Sequence, residues 1–275
     1  RNSYAGYFDL EADITEDFLL SAAVRYEDYN DFGDTFNWKL ASRYKVSDNL
    51  AIRGAASTGF RAPDLHQIYF NATATLFVAG VPNEVGTFAN NSRLAQLLSI
   101  PGLKEETSNN YSLGFTAKVP SAGLKFTVDG YIVNVDDRVS QTRSYSASGQ
   151  NAEVQQIFAD AAAGRATFFM NSYSLESSGL DVVVDHKMGI GEGSLSNSVA
   201  ASFRKFEVTD VVEVLGQEVL DARAKGFIES AMPRTKVNLT NHYKTGNWNF
   251  LLRHAYFGEV NAHDFKSAPE LAIYR

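Results

Sequence analysis

From Tyr4 the even positions read Tyr4, Gly6, Phe8, Leu10, Ala12 and Ile14, while the odd ones read Ala5, Tyr7, Asp9, Glu11 and Asp13. A period of two sends successive side chains to opposite faces of a strand, one face apolar and the other polar. The polar turn Thr15-Glu16-Asp17 follows, and the alternation resumes with Phe18, Leu20, Ala22, Val24 and Tyr26 against Ser21, Ala23, Arg25 and Glu27. A third segment carries Phe36, Trp38, Leu40, Tyr44 and Val46 against Asn37, Lys39, Arg43 and Lys45. A fourth, after Ser47-Asp48-Asn49, carries Leu50, Ile52, Gly54, Ala56, Thr58 and Phe60 against Arg53, Ser57 and Arg61.

The same grammar returns further on. Tyr111, Leu113, Phe115, Ala117 and Val119 precede a turn at 120–123, which leads to Leu124, Phe126 and Val128. Leu180, Val182 and Val184 precede a glycine-rich turn at 189–193, which leads to Val199, Ala201 and Phe203. Val237, Leu239 and Tyr243 precede Thr245-Gly246-Asn247, which leads to Trp248, Phe250, Leu252 and Tyr256. Roughly ten strands emerge, each near the ~9–11 residues of a tilted membrane-crossing strand.

The connections are asymmetric. Those near Glu16, Asp48, Ser121, Gly191 and Gly246 are tight, whereas 62–108, 139–171 and 207–233 are long. Short turns at one end and long loops at the other are the pattern of outer-membrane barrels. Phe18, Tyr44, Trp248 and Tyr256 sit near strand ends, as interfacial girdles require. Helical spacing appears only inside the long connections, at 92–98 and 152–163. The expected fold is therefore all-β: an antiparallel up-and-down transmembrane β-barrel, present as a fragment of roughly ten strands with long extracellular loops. A soluble β-sandwich adhesin and a passive porin or anchoring barrel are the rival readings.

Composition excludes several functions. The hydrophobic fraction of 44% is near the globular average, and no stretch reaches the ~18–20 apolar residues of a spanning helix. A net charge of −7 without a Lys/Arg cluster argues against a nucleic-acid partner. Without cysteine there is no disulfide, thiolate ligand or cysteine nucleophile. His66, His186, His242, His254 and His263 lack metal-ligand spacing, and no serine sits in a nucleophile elbow. The chain is expected to be no enzyme and to need no cofactor or metal. Any signal peptide is expected to lie outside these residues.

Three phrases carry a family resemblance. Ser57-Thr58-Gly59-Phe60-Arg61-Ala62-Pro63-Asp64-Leu65-His66-Gln67-Ile68-Tyr69 resembles the G-F-R-A-P-x-L-x-E-L-Y phrase with which a strand of TonB-dependent outer-membrane receptors enters an extracellular loop. Leu103-Lys104-Glu105-Glu106-Thr107-Ser108-Asn109-Asn110-Tyr111 is similar to that family's next strand opening. The strand after it ends in Val135-Asp136-Asp137-Arg138, like the family's D-x-D-D-R phrase. Gln67 replaces the usual acidic residue, and Lys104-Glu105-Glu106 replaces the usual Pro-Glu.

The resemblance implies that residues 1–275 are part of a TonB-dependent receptor β-barrel domain. It places them in the C-terminal part of a barrel of about 22 strands, with plug and final strands absent. It further implies an outer-membrane location in a Gram-negative bacterium and active transport of a scarce nutrient: a ferric siderophore, a corrinoid, or an oligosaccharide or peptide. The implied partners are outer-membrane lipid, the TonB complex (through an N-terminal part absent here) and the nutrient; a surface lipoprotein is admitted as a further one. Candidate contacts lie in the long loops: Arg61, His66, Tyr69, Phe70, Phe77, Asn90, Phe168 and Phe169, whose aromatics suit stacking on a ring and equally suit loop packing. Arg61 and the set Asp136, Asp137 and Arg138 suit an ion-paired rim. The polar strand face carries Arg25, Glu27, Lys39, Arg43, Arg53, Lys118, Lys125, Asp129, Asp181, Asp185, Lys236 and Arg253, expected to line the lumen.

Overall fold

The computed structural model describes residues 1–78, 81–161, 163–214, 216–263 and 271–274. Strands β1 (Ser3–Thr15), β2 (Phe18–Tyr29), β3 (Gly33–Ser47) and β4 (Leu50–Arg61) come first. They are followed by helix α1 (Leu65–Tyr69), β5 (Ala72–Val78), β6 (Val81–Phe88) and helix α2 (Arg93–Leu97). Next come β7 (Glu106–Val119), β8 (Leu124–Gln141), β9 (Tyr145–Ser146), helix α3 (Ala152–Asp160) and β10 (Arg165–Ile190). The remainder is β11 (Gly193–Val211), β12 (Glu213–Val214), β13 (Gln217–Glu218), helix α4 (Ala222–Ser230), β14 (Thr235–Thr245), β15 (Trp248–Phe257), β16 (Val260–His263) and β17 (Leu271–Tyr274).

The main sheet is a meander in the order β1-β2-β3-β4-β7-β8-β10-β11-β14-β15, and it is not closed into a ring. Each strand is antiparallel to its neighbours, so long and tight connections fall at opposite ends of the sheet. No described helix is long and apolar enough to cross a membrane.

Register turns ten separate alternations into two continuous faces. The row Ile52, Phe115, Val128, Val182, Ala201, Val237 and Tyr256 lies on one face, each residue paired with the next. The row Arg43, Arg53, Gly114, Asp129, Asp181, Ser202 and Lys236 lies on the other. A one-residue slip anywhere would exchange the faces, so the segregation itself fixes the register. The apolar face is uncovered by protein: Leu113 is 68% exposed, Phe250 55% and Leu252 55%. Contiguous apolar patches are rare on soluble monomers and mark protein or membrane contact surfaces. From Tyr111 to Val119, at ~3.4 Å per residue, is about 27 Å along the strand. With a tilt of ~35–45° this falls to about 20 Å, comparable to the ~25 Å band of outer-membrane barrels.

On the polar face Arg53 reaches from β4 across β7 to Asp129 on β8. Its Nε donates to Oδ1 at 2.9 Å, Nη2 makes a second contact with Oδ2, and Nη1 donates to Thr116 Oγ1 at 3.2 Å. Gly114 on the intervening strand makes this possible, since a Cβ there would stand 2.0 Å from Asp129 Oδ1 and 2.5 Å from the Val128 carbonyl oxygen. Gly114→Ala is therefore expected to cost about 1–3 kcal/mol by overpacking and to split the ion pair. An unchanged thermal midpoint would contradict the bridge.

Eight of the ten wall strands exceed the expected ~9–11 residues, and β14 and β15 fall within it. The ten run from 10 residues in β15 to 26 in β10, and β8 and β11 have 18 and 19. The excess lies beyond the apolar band, at the end with the long connections. There β10 meets β9, pairs in parallel with β6 (Arg165↔Val85 to Phe168↔Phe88), and anchors a small second layer. The core of that layer is Phe88, Leu94, Leu98, Tyr145, Val154, Phe158, Phe168, Met170 and Val219, all nearly or fully buried. Each such aliphatic or aromatic burial contributes about 1.5–3 kcal/mol. The helices expected at 92–98 and 152–163 appear as α2 and α3, capped by Ser92 (accepting from Ala95 N–H) and Asn151 (accepting from Val154 N–H). Alternation does not announce α1, α4 or the β5–β6 hairpin. α4 packs its Ala224 and Ile228 against Tyr173, Leu175 and Val208.

Candidate ligand-binding mouth

The carboxylate of Glu106 is the hub where sheet meets loops. Glu106 opens β7, sits opposite Arg61 in register, and is only 5% exposed. Arg61 Nη1 lies 3.3 Å from its Oε1, and Arg138 Nε faces its Oε2 at 3.8 Å. The Val139 N–H donates to Oε1 at 2.9 Å. Arg138 also lies over the Tyr173 ring, 5.9 Å from its centroid. The expected ion-paired rim is thus present, with the acid supplied by the start of β7.

Two neighbours fix the geometry. At the top of β8 the register slips against β10, between the pairs Leu175↔Val135 and Tyr173↔Arg138, and Asp137 there adopts φ 57°. Asp tolerates this left-handed conformation better than most residues. Lys104 Nζ pairs with Asp137 Oδ2 at 2.7 Å. Asn171 clamps both segments: its Oδ1 accepts from Lys104 N–H at 3.0 Å, and its Nδ2 donates to the carbonyls of Lys104 at 3.0 Å and Asp137 at 2.7 Å. Glu106→Ala is expected to destabilise the mouth by about 1–3 kcal/mol, because the part-buried Val139 N–H loses its acceptor and two guanidinium groups lose their counter-charge. Protease cutting within 62–105 should accelerate; an unchanged cutting rate would deny Glu106 this role.

Above the hub, Arg61 Nη2 donates to Gln67 Oε1 at 3.4 Å. Gln67 is also the third residue of α1 and completes a capping box, accepting from Asp64 N–H at 3.0 Å while Asp64 Oδ1 accepts from His66 N–H at 3.0 Å. An amide performs this cap as a carboxylate would, so the departure at Gln67 leaves the local turn intact. α1 presents His66 to Phe70, with ring centroids 4.4 Å apart, and to Phe169 at 6.3 Å edge-on.

The candidate residues consequently separate into groups. Arg61, His66, Phe70 and Phe169 converge beside the hub, with Arg61 and His66 exposed and both phenylalanines half-buried. Tyr69 is 60% exposed on α1, and Phe77 is 73% exposed in the hairpin. Asn90 is buried, donating from Nδ2 to the Pro101 carbonyl at 2.7 Å. Phe168 is fully buried among Phe88 and Tyr145, with no surface for a ligand. Burial pushes the phenol of its neighbour Tyr145 up from the ordinary range, partly offset by Arg143. Glu106, Lys104, Asn171 and Tyr173 were not among the sequence candidates; the register partner of Arg61 is the signal that locates the first of them. Among the described residues, no group of three or more His, Asp or Glu side chains is arranged to hold a metal.

The TonB dependent receptor-like β-barrel family model matches residues 1–271. The chain belongs to this family. The vitamin B12 transporter BtuB of Photobacterium profundum is 23% identical over 124 residues, which are 45% of this chain and 16% of the transporter. Among solved structures, the ferric enterobactin receptor PfeA of Pseudomonas aeruginosa is similar at 14% identity and TM-score 0.65, over 94% of this chain and 33% of that one. The siderophore receptor PirA of Acinetobacter baumannii is similar at 14% identity and TM-score 0.62, over 96% and 34%. This TonB-dependent receptor chain therefore spans about a third or less of those relatives. At such identities the structural likenesses establish the fold, which the open ten-strand meander shares. TonB-dependent receptor barrels are outer-membrane proteins of Gram-negative bacteria, and the family comprises receptors and transporters rather than enzymes.

Proposed function

We propose that this chain forms part of the wall and the external mouth of an active-transport receptor in the outer membrane. In this reading the mouth binds a scarce nutrient, a ferric siderophore, a corrinoid, or an oligosaccharide or peptide, and the intact protein imports it under TonB coupling. The observation that carries the reading is the two-faced wall topped by an ordered loop layer. The apolar face meets lipid, the polar face lines the lumen, and TonB is reached through a part of the protein outside these residues. A surface lipoprotein is admitted as a further partner over the exposed β5–β6 hairpin.

Arg61, His66, Phe70 and Phe169 are the contact set, a half-exposed cation beside three rings. Tyr69 on α1 and Phe77 in the β5–β6 hairpin are further exposed candidates, while Asn90 and Phe168 act through loop packing. The test is uptake of radiolabelled ferric siderophores and cyanocobalamin by cells with and without the intact protein, each with and without TonB. Uptake that requires both, and that falls in His66→Ala/Phe70→Ala, supports the reading. Ion conductance with TonB-independent uptake would establish a passive porin instead.

A further inference from the structure

Glycine in a strand interior costs stability and commonly marks close approach of something else. At Gly114 and Gly179 the cause is internal. A Cβ at Gly114 would collide with Asp129, and one at Gly179 would stand 2.5 Å from Tyr131 Oη. Gly130, mid-strand on β8, has no such cause. Its Cβ would meet only the Leu113 carbonyl oxygen at 3.8 Å and the Gly179 carbonyl oxygen at 4.0 Å, which is ordinary contact. A side chain fits there and is absent.

Gly130 lies on the apolar face, in register with Leu113 on β7 and Leu180 on β10. It lies in an open groove of about 1100 Å³ lined by Leu113, Phe115, Val128, Ile132 and Leu180. That volume is at or above the ~300–1,000 Å³ of small-molecule sites. The outward-pointing side chains of the lining are apolar apart from Ser178 and the Tyr111 hydroxyl, and none is charged. A charged or strongly polar ligand would lose its hydration there without replacement.

We propose that this groove is a specific seat for one acyl chain of a membrane lipid, received in the recess over Gly130. The proposal rests on the membrane reading above, and the occupant follows from continuity: the groove is recessed into the uncovered apolar band, where hydrocarbon is the medium. Elsewhere the lipid layer meets protruding side chains and exchanges freely. Here the missing side chain at Gly130 lets one chain sink between Leu113, Val128, Ile132 and Leu180, and those contacts hold it longer.

Native mass spectrometry of the intact protein carrying this chain, purified in detergent with palmitoyl-oleoyl phosphatidylethanolamine, tests this directly. Wild type is expected to keep one phospholipid after detergent has stripped the remainder. In Gly130→Leu its occupancy should fall about tenfold or more, the effect of unburying about two methylenes. Gly6→Leu, on the same face but outside the groove and with nothing within 4 Å of its Cβ, should retain the lipid. Heat-modifiable gel mobility checks folding, and Gly130→Val is read instead if the leucine variant does not assemble. Equal retention in wild type and Gly130→Leu would overturn the proposal. So would a wild-type dimer that Gly130→Leu dissociates, which would make a second copy the occupant. A protein recovered without detergent from the soluble fraction would instead sink the membrane reading itself.

Discussion

Phe168→Ala is expected to remove about 3–5 kcal/mol from the loop layer, the range for deleting a fully buried aromatic ring. The ring is 0% exposed and lies between Phe88, at 6.1 Å, and Tyr145, at 6.3 Å between centroids. Its own backbone N–H donates to Thr142 Oγ1 at 3.1 Å, so the cavity would open where three connections meet. The loss should be local. The wall has its own ladder of antiparallel hydrogen bonds, whereas α2, α3 and β9 have little beyond this core. Limited proteolysis should cut 62–105 and 142–164 much faster while the strands of the wall stay intact. Equal protection of loops in mutant and wild type would show that Phe168 is not their keystone.

Leu20→Arg should lower stability by about 2–4 kcal/mol if Leu20 faces the middle of the bilayer. Register puts it in the row Leu20, Ser42, Gly54, Leu113, Gly130, Leu180 and Phe203, on the apolar face. Its sequence neighbour Ser21 is paired with Glu11 and Ala41 on the polar face. Ser21→Arg should be tolerated, with the new cation beside Glu11. Assembly levels in the outer membrane, compared for the two variants, read the faces with one residue of offset. Normal assembly of Leu20→Arg together with failure of Ser21→Arg would reverse the wall.

Alternation made the wall legible, because a period of two reports directly which side each residue takes. The twelve residues assigned to the lumen, from Arg25 to Arg253, all fall on the polar face by register. α2 and α3 were legible from helical spacing and good helix formers, and Ser92 and Asn151 cap their starts, although α3 ends at Asp160 rather than 163. The upper part of β10 was not. From Ala166 to Met170 the sequence is Ala-Thr-Phe-Phe-Met: Ala166, Phe168 and Met170 meet the loop core, while the opposite face carries Thr167, hydrogen-bonded to Thr87 and Gln141, and Phe169 beside His66 of α1. Period-two reasoning has no purchase on a strand buried on both sides. For the same reason Phe168 and Phe169 looked equivalent, yet one is core and the other faces His66. The importance of Glu106 was hidden differently. A glutamate at a strand opening looks like surface, and only its pairing opposite Arg61 brings two guanidinium groups to it.

β10 runs without interruption from Arg165, inside the loop core, to Ile190 at the tight-turn end. This has a practical corollary for anyone exchanging loops between receptors. The natural cassette is not the segment between membrane borders, since a cut near 139 or 171 severs a ladder that β8 and β10 still share at Phe169↔Gln141. Joints at 142 and 164 would leave that ladder whole. Even there, a transplanted loop would have to supply its own partner for Phe168, or arrive with the strand that carries it.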